Sequence, residues 1–96
     1  MSSFIDWAAE QFIRDAENDG NKPILLKVLA EENEERWWQR VGADMIDQLA
    51  MSFVMNTGQA CFIRGGKKEA VAIFHRLKER LAADIAKLAP ATQQGR

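Results

Sequence analysis

The segment Arg64-Gly65-Gly66-Lys67-Lys68 combines residue types that bind anions in proteins. Two successive glycines can expose backbone N–H groups, and the helix predicted to follow them adds the positive end of its dipole. Lysines at a helix N-terminus oppose that dipole, so the sequence breaks a local rule here. This segment and Arg76 are therefore candidates for binding a phosphate, a carboxylate or a partner. The alternative is a plain turn, in which glycine supplies geometry and lysine solubility.

Catalytic and metal-binding patterns are weak by comparison. The chain has one cysteine, Cys61, and one histidine, His75, and only their identity favours a thiolate–imidazole pair. One thiol and one imidazole do not make a zinc site, and the acidic residues lack the spacing of a calcium loop. No GxxxxGK[ST] pattern is present. The sequence therefore predicts no catalytic residue, no metal site and no cofactor.

Acidic side chains concentrate in the run from Glu31 to Glu35. Such a run could dock on a basic partner or imitate phosphate charge. The simpler interpretation is a solvated junction in which Asn33 caps a new helix, with Glu34 and Glu35 against its positive end. Charged runs are commonly just solvated, but Glu34 and Glu35 are kept as candidates for an interface.

Trp37 and Trp38 cannot both lie at the centre of one helix face, since neighbouring residues on a helix point about 100° apart. Trp38 continues an apolar stripe at spacings of three and four residues, which indicates a core position. Trp37 must then lie at the edge of that stripe or outside it. We predict that Trp37 anchors a subunit or partner contact; the alternative is that it covers Phe12 within the same chain.

The elements that carry these residues are predicted to be helices. Two shorter amphipathic segments come first, capped by Ser2 or Ser3 and begun near Pro23. Two long helices follow and are predicted to be antiparallel across the connector 57–66. Their apolar stripes are, for the first, Trp38, Val41, Met45, Leu49 and Phe53, and for the last, Phe74, Leu77, Leu81, Ile85 and Leu88.

The fold class predicted is thus mostly all-α, with one domain over residues 1–89. Pro90 is expected to end the last helix, leaving 90–96 as a disordered tail. Asn56-Thr57-Gly58 is expected to end the first long helix, with Gly58 beyond its C-terminus. The same residues resemble a hairpin turn, so an α+β fold with a short hairpin at about 51–64 is the alternative. Residues 48–63 carry no charged side chain and are interpreted as the buried middle of the fold.

Charge is sorted along the chain. Residues 1–48 hold eleven acids and five bases, net −6, whereas residues 49–96 hold three acids and eight bases, net +5. The split predicts two faces that meet each other, in one chain or across a dimer, or a bipolar surface that meets a charged partner. Together with 47% hydrophobic residues in only 96 residues, it predicts a homo-oligomer, most simply a dimer.

The function expected from these patterns is that of a small, non-enzymatic interaction protein. It would bind, and inhibit or adapt, another protein, as accessory and phage proteins of this size commonly do. The alternative is a binder of a nucleotide or nucleic acid through the Arg64–Lys68 segment, although a pI near 5.8 is low for a dedicated nucleic-acid binder. A single cysteine and the absence of a leader or a long apolar stretch predict a cytoplasmic protein without a membrane partner.

Overall fold

A computed structural model describes residues 3–94, which form five helices and no strand. The helices are α1 (Phe4–Asn18), α2 (Lys22–Glu31), α3 (Glu34–Thr57), α4 (Lys67–Arg80) and α5 (Ala82–Gln94). The predicted all-α class is confirmed. The hairpin alternative at 51–64 is wrong, because its first strand belongs to α3 and its second lies in the irregular connector between α3 and α4.

Local capping chemistry fixes several helix ends. The Ser3 hydroxyl accepts a hydrogen bond from the Asp6 backbone N–H at 3.2 Å, and the Asn33 side chain accepts one from Arg36 N–H at 2.9 Å. Each satisfies an N–H that has no partner inside its helix. Gly58 ends α3 in the left-handed conformation, with φ 70° and ψ 8°. These three helix ends lie where the sequence predicts them.

The long helix α3 bends at Gly42, whose φ of 74° and ψ of 164° are far from helical values. The non-helical residue shifts the helical phase, so that the buried side chains of α3 are Trp37, Val41, Ile46, Ala50 and Phe53. The predicted stripe assumed an unbroken helix and was wrong at three positions. Trp38 and Leu49 lie at the edge of the core, and Met45 is exposed.

The last predicted helix is two helices, because the chain turns at Leu81 (φ −107°, ψ 18°) between α4 and α5. Backbone hydrogen bonds from Leu81 N–H to Leu77 and from Ile85 N–H to Leu81 still bridge this turn. α5 then continues past Pro90 to Gln94, so the predicted helix end at Pro90 differs from the structure. The predicted disordered tail, residues 90–96, overlaps α5 at positions 90–94. Its last two residues, 95–96, lie outside the described residues.

α4 lies at the centre of the packing and contacts α1, α2, α3 and α5. Its start is beside the first half of α3, since an added Cβ on Gly66 would lie 3.4 Å from both Trp38 and Ile46. The connector 58–66 therefore returns along the second half of α3. Aromatic rings link the helices, with centroids 5.3–5.7 Å apart in the pairs Phe4–Phe53, Trp7–Phe53, Phe12–Trp37 and Trp37–Phe74.

The acidic and basic halves of the sequence meet within one chain. Acids of α1 face bases of α4, and acids at the start of α3 face the opposite side of α4. The pairs between the halves are Glu10–Arg80, Asp6–Arg76, Glu34–His75, Glu35–Lys67 and, with the signs reversed, Lys22–Asp84. The charge split therefore orients α4 between α1 and α3, and a dimer is not needed to explain it.

Acid is expected to weaken this arrangement through Glu10. The Arg80 guanidinium holds the pKa of Glu10 below its ordinary value of 4.5, against the opposing effect of burial and with help from Arg14. A carboxyl whose pKa is lowered by folding contributes stability above its unfolded pKa and loses it as pH falls through the folded value. The melting temperature should therefore decline on acidification below about pH 4.5, and less steeply in Glu10→Gln.

Thermal unfolding followed by circular dichroism at several pH values tests this prediction. Glu31→Gln is the matched control, because Glu31 is exposed and forms no ion pair with any described residue. If both variants keep the parent's pH dependence, the Glu10–Arg80 pair does not contribute to acid sensitivity.

Candidate functional site

The two glycines of the predicted anion site are required by the turn itself. Gly65 and Gly66 have φ values of 75° and 90°, a region that side chains rarely tolerate. Gly66 is also buried and precedes the first residue of α4, where it packs against Ile46 and Trp38. A turn that needs glycine for conformation and close packing explains this part of the segment without a ligand.

Two of the four predicted cations have carboxylate partners within the chain. The Lys67 ammonium lies 2.9 Å from a Glu35 carboxylate oxygen, and Arg76 pairs with Asp6 and, at 3.0 Å, with Glu79. Two of the cations are thus neutralised within the fold. Arg64 and Lys68 are exposed and pair with no carboxylate in the described part of the chain.

The acidic candidates have structural partners as well. Glu34 Oε2 lies 2.6 Å from His75 Nε2, and Glu35 pairs with Lys67, so both acids join the start of α3 to α4. His75 also stacks edge-on against Phe74. These contacts use the acids at 34 and 35 to join α3 to α4, a role that neither interpretation of the acidic run included.

Trp37 is a core residue, and the prediction of an exposed anchor is corrected. Its side chain is 2% exposed and packs between Phe12 and Phe74. The indole Nε1–H donates a 2.8 Å hydrogen bond to the Ala70 carbonyl oxygen of α4. The bend at Gly42 causes this exchange, since it brings Trp37 and not Trp38 to the buried face.

Cys61 is half-buried on the connector and packs against α3. Burial raises the pKa of its thiol, and the nearby Glu69 carboxylate raises it further. One carboxylate oxygen of Glu69 is itself buried and has no hydrogen-bond partner among the described residues. The surroundings therefore disfavour the thiolate that nucleophilic chemistry needs.

The largest exposed apolar side chains cluster at the end of α3 and on the connector. Phe62 is 91% exposed, Met55 82% and Met51 65%. Met51, Val54 and Met55 line a shallow depression of about 290 Å³ together with Ala50 and Cys61. We call the surface formed by Met51, Val54, Met55, Cys61 and Phe62 the α3 patch.

A second apolar surface is the α1–α3 groove, a cleft of about 490 Å³ between α1, α2 and α3. Its walls are mainly Phe12, Leu25, Val28, Trp37, Val41 and Leu49. Ile24 and Met45 are exposed and line its opening, although the predicted apolar stripe placed Met45 in the core. Asp15, Asp19 and Arg40 supply the charge around the opening.

Sequence reasoning missed both surfaces, and for the α3 patch the reason lies in one stretch of the chain. The charge-free stretch 48–63 was interpreted as buried, yet only Ala50 and Phe53 within it are buried. A helix that packs against the core on one side buries a single stripe of residues. This stretch carries apolar residues on more than one side of α3, so some of them must be exposed. Three methionines between 45 and 55 were the available signal, because flexible thioethers are common on surfaces that bind other proteins.

Comparisons with known proteins add no assignment: no family model, no curated protein and no solved structure matches this chain. Among the described residues, no group of three or more His, Cys, Asp or Glu side chains could hold a metal ion. No helix in the described part of the chain is long and apolar enough to cross a bilayer.

Proposed function

We propose that this protein works by contact, as a non-enzymatic interaction protein that binds another protein and thereby inhibits or adapts it. The observation that carries the proposal is the α3 patch. A chain this short has few apolar side chains to spare from its core, yet four large ones, Met51, Val54, Met55 and Phe62, stand in solvent. Exposed apolar patches on small domains mark surfaces that bind other molecules.

The charged side chains favour contact over catalysis in this proposal. The acids and bases that face each other from α1, α3 and α4 hold the helices together, so their roles are structural. The anion-binding alternative rests on Arg64 and Lys68, since Lys67 and Arg76 already have carboxylate partners. Two exposed cations on a turn supply less attraction than the four that the sequence predicted.

The proposal includes self-association through the α3 patch. A twofold interface places the same surface on both sides, so a charge near the twofold axis would face its own copy. Residues 48–63 carry no charge, which makes this surface compatible with itself. The four exposed side chains of the patch offer on the order of 500 Å², more than half of the ~800 Å² that each partner of a stable interface buries.

Phe62→Glu is expected to weaken the dimer at least tenfold, a loss of about 1.4 kcal/mol or more in association free energy, because the interface would have to bury a carboxylate. The fold should be unaffected, since the Phe62 side chain is 91% exposed. Size-exclusion chromatography with light scattering, at micromolar concentrations, measures the change. The parent should contain more than one subunit, and the variant should be a monomer at the same concentration.

Ile24→Glu is the matched control, because Ile24 is also an exposed apolar residue but lies outside the α3 patch. It should dimerise as the parent does. A parent that stays monomeric to about 100-fold higher concentration, or a Phe62→Glu protein that dimerises normally, would remove the α3 patch from the proposal.

A further inference from the structure

The α1–α3 groove differs from the α3 patch in its charge. Two aspartates, Asp15 and Asp19, lie on its rim at the C-terminal end of α1. Neither carboxylate forms an ion pair or a hydrogen bond with another described side chain. Their neighbour Glu17 is already paired with Lys22, at 3.6 Å. On the other side of the opening, the Arg40 charge is balanced by Glu32, which accepts a 3.2 Å hydrogen bond from Arg40 Nε.

The position of the two aspartates is electrostatically unfavourable. The C-terminus of a helix carries a partial negative charge, and cations are the side chains that stabilise it. The last turn of α1 contains no basic residue, and Asp19 is its C-cap. The carbonyls of Asp15, Ala16 and Glu17 accept backbone N–H groups that follow the helix. The two carboxylates and the negative end of the helix dipole nevertheless add their negative potentials at one end of an apolar groove. A positively charged side chain of a partner would offset the negative potential of the two carboxylates and of the helix end.

We propose that the α1–α3 groove binds an amphipathic helix of another protein, with its apolar face in the groove and a Lys or Arg side chain at Asp15 and Asp19. This inference rests on the proposed function and specifies its partner. Three helices form the walls, and a groove between helices accepts side chains spaced i, i+3 or i+4, and i+7 along a partner helix. A second copy of this chain is disfavoured, because its own groove would bring acid against acid.

A display library of randomised helical peptides, selected on the full-length protein, tests the partner chemistry. Selected peptides should carry apolar residues at helical spacing and a Lys or Arg near one end. The most enriched peptide is then synthesised, and its dissociation constant is measured by fluorescence anisotropy. The Asp15→Asn/Asp19→Asn variant should bind it at least about tenfold more weakly, and higher salt should weaken the parent's binding.

A charge exchange makes the test specific. The Asp15→Lys/Asp19→Lys variant should prefer the same peptide with Glu in place of its basic residue. It should also melt no lower than the parent, because lysine suits the C-terminal turn of α1. Loss of binding could then not be ascribed to unfolding. Asp44→Asn/Asp47→Asn is the matched control, since these exposed aspartates of α3 lie outside the groove lining and should leave binding unchanged.

Peptides without basic residues, or equal binding by the parent and the Asp15→Asn/Asp19→Asn variant, would overturn the inference. So would peptides whose binding is lost in Phe62→Glu, because they would occupy the α3 patch. Those outcomes leave the light-scattering result for the α3 patch intact. A monomeric parent that still binds basic peptides would instead overturn the dimer and leave the groove assignment standing.

Discussion

Trp37→Ala is expected to lower the free energy of unfolding by about 3–5 kcal/mol, the range for removing a fully buried large aromatic side chain. The Trp37 ring is 2% exposed and joins three helices, since it contacts Phe12 of α1 and Phe74 of α4 from its own position on α3. Its removal also deletes the buried hydrogen bond to the Ala70 carbonyl. Because small domains have thin stability margins, this loss would leave much of the protein unfolded at 25 °C.

Trp38→Ala provides the comparison. Trp38 is half-buried and rests on the edge of the core beside Gly66, so its removal should cost about 1–2 kcal/mol. Trp37→Phe separates packing from hydrogen bonding, because it keeps an aromatic ring but no donor for Ala70; a loss of about 1–2 kcal/mol is expected. Urea unfolding followed by circular dichroism measures all three variants. Equal losses in Trp37→Ala and Trp38→Ala, or a larger loss in the latter, would contradict the buried position of Trp37.

The features that sequence predicted correctly depend on a few neighbouring residues. Ser3, Asn33 and Gly58 were identified as helix ends because a capping side chain or a left-handed glycine acts within one turn. The all-α class followed from apolar spacing in the same way. Local chemistry of this kind does not depend on what the rest of the chain does.

The errors arose where a non-local choice decides between two local patterns. In a straight helix the stripe through Trp38 would face the core, whereas in a helix bent at Gly42 the stripe through Trp37 does. Both patterns are locally consistent, and only the packing against α4 and the connector selects between them. Exposure of Met55 and Phe62 is likewise a property of the assembled fold, because either residue type is as suitable for a core. Charge gave a global clue, but it did not identify which acid meets which base.

The candidate surfaces were harder to predict than the fold. The Arg64–Lys68 segment attracted attention because its residue types match known anion sites, yet two of the four predicted cations pair within the chain. The α1–α3 groove, by contrast, is assembled from three helices, and no single segment indicates it. Its sequence signal was small: a helix that ends on aspartates without a compensating base.

Gly42 controls which tryptophan is buried, and it offers a test of the bend with two opposite outcomes. Its φ of 74° and ψ of 164° lie in a region that is essentially reserved for glycine. Beyond the adjacent backbone of α3, an added Cβ would meet no atom within 4 Å, so the effect of Gly42→Ala comes from backbone conformation and not from crowding against other side chains. We expect a loss of about 1–3 kcal/mol in the free energy of unfolding. An unbroken α3 would predict the reverse, a gain of about 1 kcal/mol, because alanine is the better helix former.

Asparagine distinguishes this conformation from an ordinary left-handed turn. At Gly58, with φ 70° and ψ 8°, asparagine is tolerated, so Gly58→Asn should cost less than about 1 kcal/mol. At Gly42 asparagine gains nothing over alanine, and Gly42→Asn should be as damaging as Gly42→Ala. Urea unfolding of the three variants gives the comparison, and tryptophan fluorescence of the folded state reports the burial of the indoles. A stabilised Gly42→Ala protein with a solvent-exposed tryptophan would mean that α3 is straight, that Trp38 faces the core, and that Trp37 returns to the surface.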